Sequence, residues 1–486
     1  MTKTKIASLI AVALVAIVLT GCSNDAATLT AFVDVHVVPM TSERIVENQT
    51  VLIKEARIVA MGDSGTLMIP EDAQRIDGNG AYLIPGLADM HMHTRLDWED
   101  RDVWPVHPLN LYLANGVTTI RDFAPTGSPL TYALQWRDEI RAGVRNGPAI
   151  YASGQLLYAS PLGDPDGIVR RNQALGFDFI KLYSYLTVED FHDAMAAAKE
   201  IGIYTAGHIP YAVGLDGVLA EGMDEVAHVE ELLFEFLDID RSVNLSADEW
   251  LRHIIEAGLR QWDFSSTDFQ VEFEIDHHAT LTSIIDRLSA ADIPVCTTMD
   301  IDEVIQWKLF SPEAFLERSE NRYLPSAYLD SLQRGEEKHQ IQFRGIESLA
   351  TFKYNVDRWV LNALHEAGIL LVAGTDAGTG GMGIVPGFSL HDELQLLLDN
   401  GFSPYEAIAT STVNAAVVIE RMAGNGDFGT IEVGKKADLV LVRDNPLEHI
   451  STLREPLGVM AAGRWYSQRT LAELIAPDDS PSSEAE

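Results

Sequence analysis

Between about residue 85 and residue 376, short apolar runs of strand character alternate with segments of helical periodicity. This alternation constrains the fold more than any other feature of the chain. Residues 81–84 read as the first buried strand, with His91 and His93 at its end. Further runs follow at 117–122, 149–153, 179–183, 204–208, 225–228, 294–298 and 369–376. Helical patterns stand between several of them, clearest at 188–200 and 356–367. Eight strands joined by crossover helices predict a (β/α)₈ barrel. The stretches 230–292 and 301–351 exceed ordinary connections and read as helical insertions at the barrel mouth.

The two ends of the chain share a different pattern. Short β-rich runs at 31–38, 50–54 and 57–61 are separated by turn residues such as Gly62-Asp63 and Asp77-Gly78-Asn79-Gly80. A similar texture returns at 429–442, read as two short strands, and at 459–466. The expected fold class is therefore α/β, a TIM-like barrel flanked by a small β-sandwich built from both ends. The expected division is 1–21 a lipoprotein signal peptide, 22–84 and 425–470 the two parts of the sandwich, 85–424 the barrel, and 471–486 a tail. Residues 477–486 have a disordered composition of Pro, Ser and acids.

A chain of 486 residues with 47% hydrophobic and 22% charged residues can bury a substantial core. Its formal net charge of −37 excludes a phosphate-neutralising nucleic-acid binder. Lys3 and Lys5 precede an apolar run at 6–19 that is short for a membrane span. Leu19-Thr20-Gly21-Cys22 then resembles a bacterial lipobox, which implies a lipid on Cys22. Ser23 in place of an aspartate points to the outer membrane, on its periplasmic side in a Gram-negative host. The second cysteine, Cys296, is left alone, so a metal site must use His, Asp, Glu or a modified side chain.

Such ligands recur where the strands end. His91 and His93 are one residue apart, and alternate side chains of a strand share a face, so both imidazoles can aim at one ion. Lys181, His208, His228 and Asp376 fall at the ends of the fourth, fifth, sixth and eighth runs, the rim that carries catalytic groups in such barrels. Each taken singly reads equally well as a core histidine, a snorkelling lysine or a turn aspartate. Their joint order does not.

With Pro85-Gly86-Leu87 leading to His91-x-His93, Gly116-Val117-Thr118-Thr119, Gly207-His208, Ala227-His228, Gly374-Thr375-Asp376 and Gly434-Lys435-Lys436-Ala437-Asp438-Leu439-Val440, the chain resembles the amidohydrolase superfamily. The likeness is to its imidazolonepropionase-like, prolidase-related branch. That resemblance implies two divalent metal ions: His91, His93 and Asp376 hold one, His208 and His228 the other, and a carbamate on Lys181 bridges them. Zn²⁺ suits imidazole and oxygen ligands, with Mn²⁺, Fe²⁺, Co²⁺ and Ni²⁺ left open. A metal-bridging hydroxide would attack an amide or peptide carbonyl, with Asp376 as general base and then acid. Tyr183, on the same strand face as Lys181, is a candidate donor to the oxyanion or a packing residue.

The resemblance points to a dipeptide or an N-acyl amino acid as substrate. Arg95 and His391 are the candidates for contacting it, and Trp262, Trp307 and Tyr323 for an aromatic lid. A homo-oligomer is compatible with the family. Two other readings stay open: a mononuclear cyclic-amide hydrolase or deaminase of imidazolonepropionase type, and a non-catalytic lipoprotein that binds a metal or ligand.

Overall fold

The computed structural model describes residues 29–262, 268–379 and 382–476. The expected signal segment, the expected lipid site Cys22 and the expected acidic tail beyond residue 476 lie outside them. Within these residues the two ends of the chain come together as one seven-stranded sheet. Its strands are β1 (Thr30–Val37), β2 (Val46–Lys54), β3 (Arg57–Asp63) and β4 (Gln74–Pro85) from one end. The order across the sheet begins with three late strands, then runs β4-β1-β2-β3. The junction is antiparallel, with Pro85 opposite Leu439 and Tyr82 opposite Val442.

This sheet corrects one expectation. Residues 81–84 are not the first strand of the parallel set. They are the end of β4, and the histidine-bearing strand is a separate β5 (Leu87–Met92). The switch occurs at Gly86, whose N–H still bonds Asp438 O (2.8 Å), whereas Leu87 N bonds Gly116 O (3.0 Å). A side chain at Gly86 would meet Thr118 Oγ1 at 2.2 Å, so only glycine lets the chain cross between sheets there.

The remaining strands of the interior are β6 (Val117–Asp122), β7 (Ala149–Ala152), β8 (Leu157–Ala159), β9 (Phe179–Tyr185), β10 (Tyr204–Gly207), β11 (Glu225–Ala227), β12 (Val295–Cys296) and β13 (Leu371–Val372). They pair in parallel as β5-β6-β7 and as β8 through β13 in sequence order. A bridge from Ser153 to Phe179 links the two groups, and Met90 N bonds Ala373 O (2.9 Å) beside a Met92–Ala377 bridge. Strand pairing thus runs from β5 to β13 and returns to β5.

The helix between β9 and β10 shows how such a connection buries one stripe. In the helix Val188–Ile201, Phe191, Ala194, Met195 and Ala198 face inward at three- and four-residue spacing. Thr187 Oγ1 caps its start and Gly202 (φ 68°) ends it. The interior also holds a charge pair. Arg121 of β6 and Glu225 of β11 are both fully buried, with Nη1 donating to Oε2 at 2.7 Å and Nη2 meeting Oε1. Arg121 Nε donates to Met90 O (2.8 Å), so every group of this pair finds a partner.

The late strands are β14 (Leu439–Val442), β15 (Gly458–Ala461) and β16 (Arg464–Ser467). The expected strand at 429–433 is irregular backbone instead. Gly429 (φ 79°) and Gly434 (φ 96°) bracket it, and it contributes Ile431 N to Pro39 O (3.0 Å). The two long connections are largely helical. Val229–Phe236, Ala247–Gln261 and Phe269–Ala291 fall between β11 and β12; Asp300–Phe310, Lys338–Gln342 and Glu347–Glu366, with shorter turns, fall between β12 and β13.

Candidate metal centre

Short strands deliver the polar residues to one place. His91 lies inside β5 and Lys181 inside β9; His93, His208, His228 and Asp376 come just after the ends of β5, β10, β11 and β13. The Asp376 loop is hooked onto β5 by Thr375 N and Asp376 N, which both donate to His91 O (3.0 and 2.7 Å). Gly374 is required there, because a Cβ would stand 2.6 Å from His91 Cβ. Asp376 itself has φ 58° and His228 φ 73°, conformations that non-glycine residues adopt at a cost.

His91, His93 and Asp376 place their ligand atoms within 4.8 Å of one another. Asp376 Oδ1 is 2.7 Å from His93 Nε2 and 3.5 Å from His91 Nε2. His208 and His228 stand outside this trio, yet the rings of His91 and His228 are 4.4 Å apart and those of His228 and His208 4.7 Å. Lys181 is buried beside them, its Nζ 4.6 Å from the Phe123 ring centre. All six residues line one cavity.

Do these residues suit a metal? His91 gives the direct answer: it is fully buried, and among the described residues neither ring nitrogen has a hydrogen-bond partner. A buried polar group of that kind is costly unless an ion or an ordered water satisfies it. The other imidazoles have Nδ1 engaged, leaving Nε2 for a ligand role. His93 Nδ1 meets Ala124 O (3.2 Å), His228 Nδ1 meets Thr298 Oγ1 (2.8 Å), and His208 Nδ1 meets Glu231 Oε1. Burial, then neighbouring cationic groups, holds His91, His208 and His228 well below the usual imidazole range, in the neutral form that binds metal. Burial works against the charged form of His93 too, but Asp376 outweighs it and raises this imidazole. Burial brings the Lys181 ammonium down to about 8.

Glu231 and Thr298 were not singled out in the sequence. Glu231 is buried, accepts from Ile209 N (2.9 Å) through its second oxygen, and is pushed well above the carboxylate range by burial and by Glu230. Replacing Glu231 with alanine is expected to weaken metal affinity by about 10- to 100-fold, as chelator competition would show. Unchanged affinity would remove it from the site.

The cavity has a volume of about 730 Å³. Tyr183 lines it, with its ring 4.1 Å from that of His208. Arg95 lines it as well, but its guanidinium is held by Asp97 (2.9 and 2.6 Å). His391 does not line it. The helix Phe388–Asp399 turns His391 inward, where it is buried with Nε2 on Asn115 O (3.0 Å) and brought to about 3 by burial. Of the three aromatics expected to form a lid, Trp262 lines the cavity. Trp307 is on the surface, and Tyr323 is buried against Phe388.

Residues 353–466 match the amidohydrolase family model, a stretch that includes Asp376. Among curated proteins, the chain is 33% identical over 95 residues to ochratoxinase of Aspergillus niger, covering 19% of this chain and 18% of that protein. It is 36% identical over 104 residues to imidazolonepropionase of Thermoanaerobacter pseudethanolicus, covering 20% and 23%. The matched stretch is thus under a quarter of the length of either relative. Similarity in fold extends further. A crystal structure of A. niger ochratoxinase superposes with a TM-score of 0.60 at 16% identity, over 91% of this chain and 96% of the other. A Xaa-Pro dipeptidase with bound methionine superposes with a TM-score of 0.61 at 17% identity, over 90% and 100%.

Proposed function

We propose that this chain, which carries an amidohydrolase family domain, is a metal-dependent hydrolase of an amide or peptide C–N bond, with a dipeptide or N-acyl amino acid as substrate. The observation that carries this reading is the buried His91, whose ring nitrogens have no hydrogen-bond partner among the described residues, converging with His93 and Asp376 on a cavity large enough for a small-molecule amide. In the same reading the parallel strands are a (β/α)₈ barrel spanning 85–424, and 22–84 with 425–470 form a flanking β-sandwich. Cys22 carries a lipid that places the enzyme at the periplasmic face of the outer membrane.

His91, His93 and Asp376 would hold one divalent ion and His208 with His228 a second, bridged by a carbamate on Lys181; Zn²⁺ fits these donors. Ions held there would polarise a carbonyl and would lower the pKa of a water to about 7. The protein supplies the rest. Asp376 takes the proton of the attacking water and returns it to the leaving nitrogen, which would otherwise depart poorly. Tyr183, beside His208, donates a hydrogen bond from its hydroxyl to the oxygen on which charge develops.

The test is hydrolysis of a panel of N-acyl amino acids and dipeptides before and after chelation. Turnover that disappears with the metal and returns with added Zn²⁺ is expected. Cleavage of cyclic amides alone, or release of ammonia from a ring, would replace this reading with the imidazolonepropionase-like one. Metal binding with no turnover on any panel would favour a ligand-binding lipoprotein.

A further inference from the structure

Much of the cavity wall comes from the long connections rather than the strands. Leu233, Leu251, Ile254, Ile305, Phe343 and Phe352 form an apolar lobe beside the metal-centre residues. Four cations share this cavity, and three are already committed. Arg95 is held by Asp97; Lys181 is buried at the centre; Lys353 is shared among Glu230 (2.7 Å), Asp302 (2.7 Å) and Asp357 (2.8 Å). Lys338 differs. Among the described residues its side chain has no ion pair and no hydrogen bond, and it is solvent-accessible.

Its position is nevertheless firmly built. Lys338 opens the helix Lys338–Gln342, which Glu337 caps by accepting from His339 N (2.8 Å) and Gln340 N (3.2 Å). The residues on either side, Glu337 and His339, are buried and grip Lys308. Lys308 Nζ donates to Glu337 Oε1 (3.2 Å), His339 Nδ1 (2.7 Å) and Met382 O (2.9 Å). Partial burial lowers the Lys338 ammonium, and the charges of Asp376, Glu337 and Glu230 work against that shift, which places it within electrostatic reach of the centre.

We propose that Lys338 is a specificity-determining residue that binds the free carboxylate of an amphiphilic amide whose apolar acyl group fills the lobe. The inference rests on the hydrolase reading above and narrows its substrate class to N-acyl amino acids with a bulky acyl group. A dipeptide fits less well. Its N-terminal ammonium would be driven against an apolar wall at a desolvation cost, and a small one would leave much of about 730 Å³ unfilled.

The test compares N-decanoyl-L-phenylalanine with its C-terminal carboxamide on metal-loaded wild type, Lys338→Met and Lys338→Arg. Both kcat/KM and calorimetric binding are measured. Wild type is expected to prefer the acid by about 10- to 100-fold, carried by KM, as for a hydrogen bond to a charged group. Lys338→Met brings the ratio toward one, and Lys338→Arg keeps most of it. A wild-type ratio retained in Lys338→Met overturns the assignment, as does failure of wild type to bind either probe. Binding that prefers the acid through Lys338 without any turnover upholds the assignment and removes the hydrolase reading instead.

Discussion

Replacing Lys181 with alanine is expected to lower metal content from about two ions per chain to one or fewer, measured by ICP-MS on metal-replete protein. Lys181 is only 1% exposed, and among the described residues no carboxylate pairs with it. A lysine kept for structure would not be placed so, since an unpaired buried ammonium costs several kcal/mol. Its neighbours make matters worse, because cationic metal ions beside His91, His208 and His228 would repel it. Burial already lowers it to about 8, so the neutral amine that reacts with CO₂ is accessible near physiological pH. The resulting carbamate reverses the sign of the charge and offers two oxygens. The size of the stability effect separates the alternatives. With metal removed, Lys181→Ala should melt close to wild type, because it deletes a buried ammonium whose burial is only partly offset by the charges of Asp376 and Glu231. About one metal in both proteins would sink the bridging role and favour a mononuclear enzyme.

How far the sequence announces this site depends on the range of the interaction. The ligands were legible because each follows a short apolar run, and parallel strands deliver their ends to one rim. The boundary between β4 and β5 was not. Residues 81–92 are almost continuously apolar, and what divides them is a pairing partner some 350 positions away at Leu439–Val442. Glu231 had a faint signal, an acid directly after His228-Val229-Glu230 and before Leu232-Leu233. Its burial follows from His208 packing across from β10, which local pattern does not encode. His391 failed for a related reason. Position after the eighth run says that its helix starts near the rim, but the inward turn beside Leu390 and Leu394 decides that it meets Asn115 rather than substrate. Lys338 gives no signal at all within Glu336-Glu337-Lys338-His339. Its significance lies in the neighbours that are buried and in the carboxylates that pair elsewhere.

Asp376→Asn should reduce kcat by about 10²- to 10⁴-fold, the range supplied by a positioned general acid–base. The substitution is well suited to isolating that role. Asp376 sits at φ 58°, a left-handed conformation that asparagine tolerates better than other side chains, so the loop after β13 need not move. Thr375 remains tied to Asp89 through Oγ1 (2.6 Å) and through its N–H (3.1 Å), which fixes the turn independently of residue 376. The asparagine carbonyl can still face the point now approached by Oδ1, 2.7 Å from His93 Nε2. What is lost is the negative charge and the ability to accept a proton. In the wild type His93, His228 and Lys181 outweigh burial and hold this carboxyl below its usual range, so it is ionised and ready to accept at neutral pH. Metal content measured alongside activity decides between two roles. A variant that keeps its metal but loses turnover assigns proton transfer to Asp376. Loss of both in parallel would make it a ligand alone, and activity within about tenfold of wild type would exclude the acid–base role altogether.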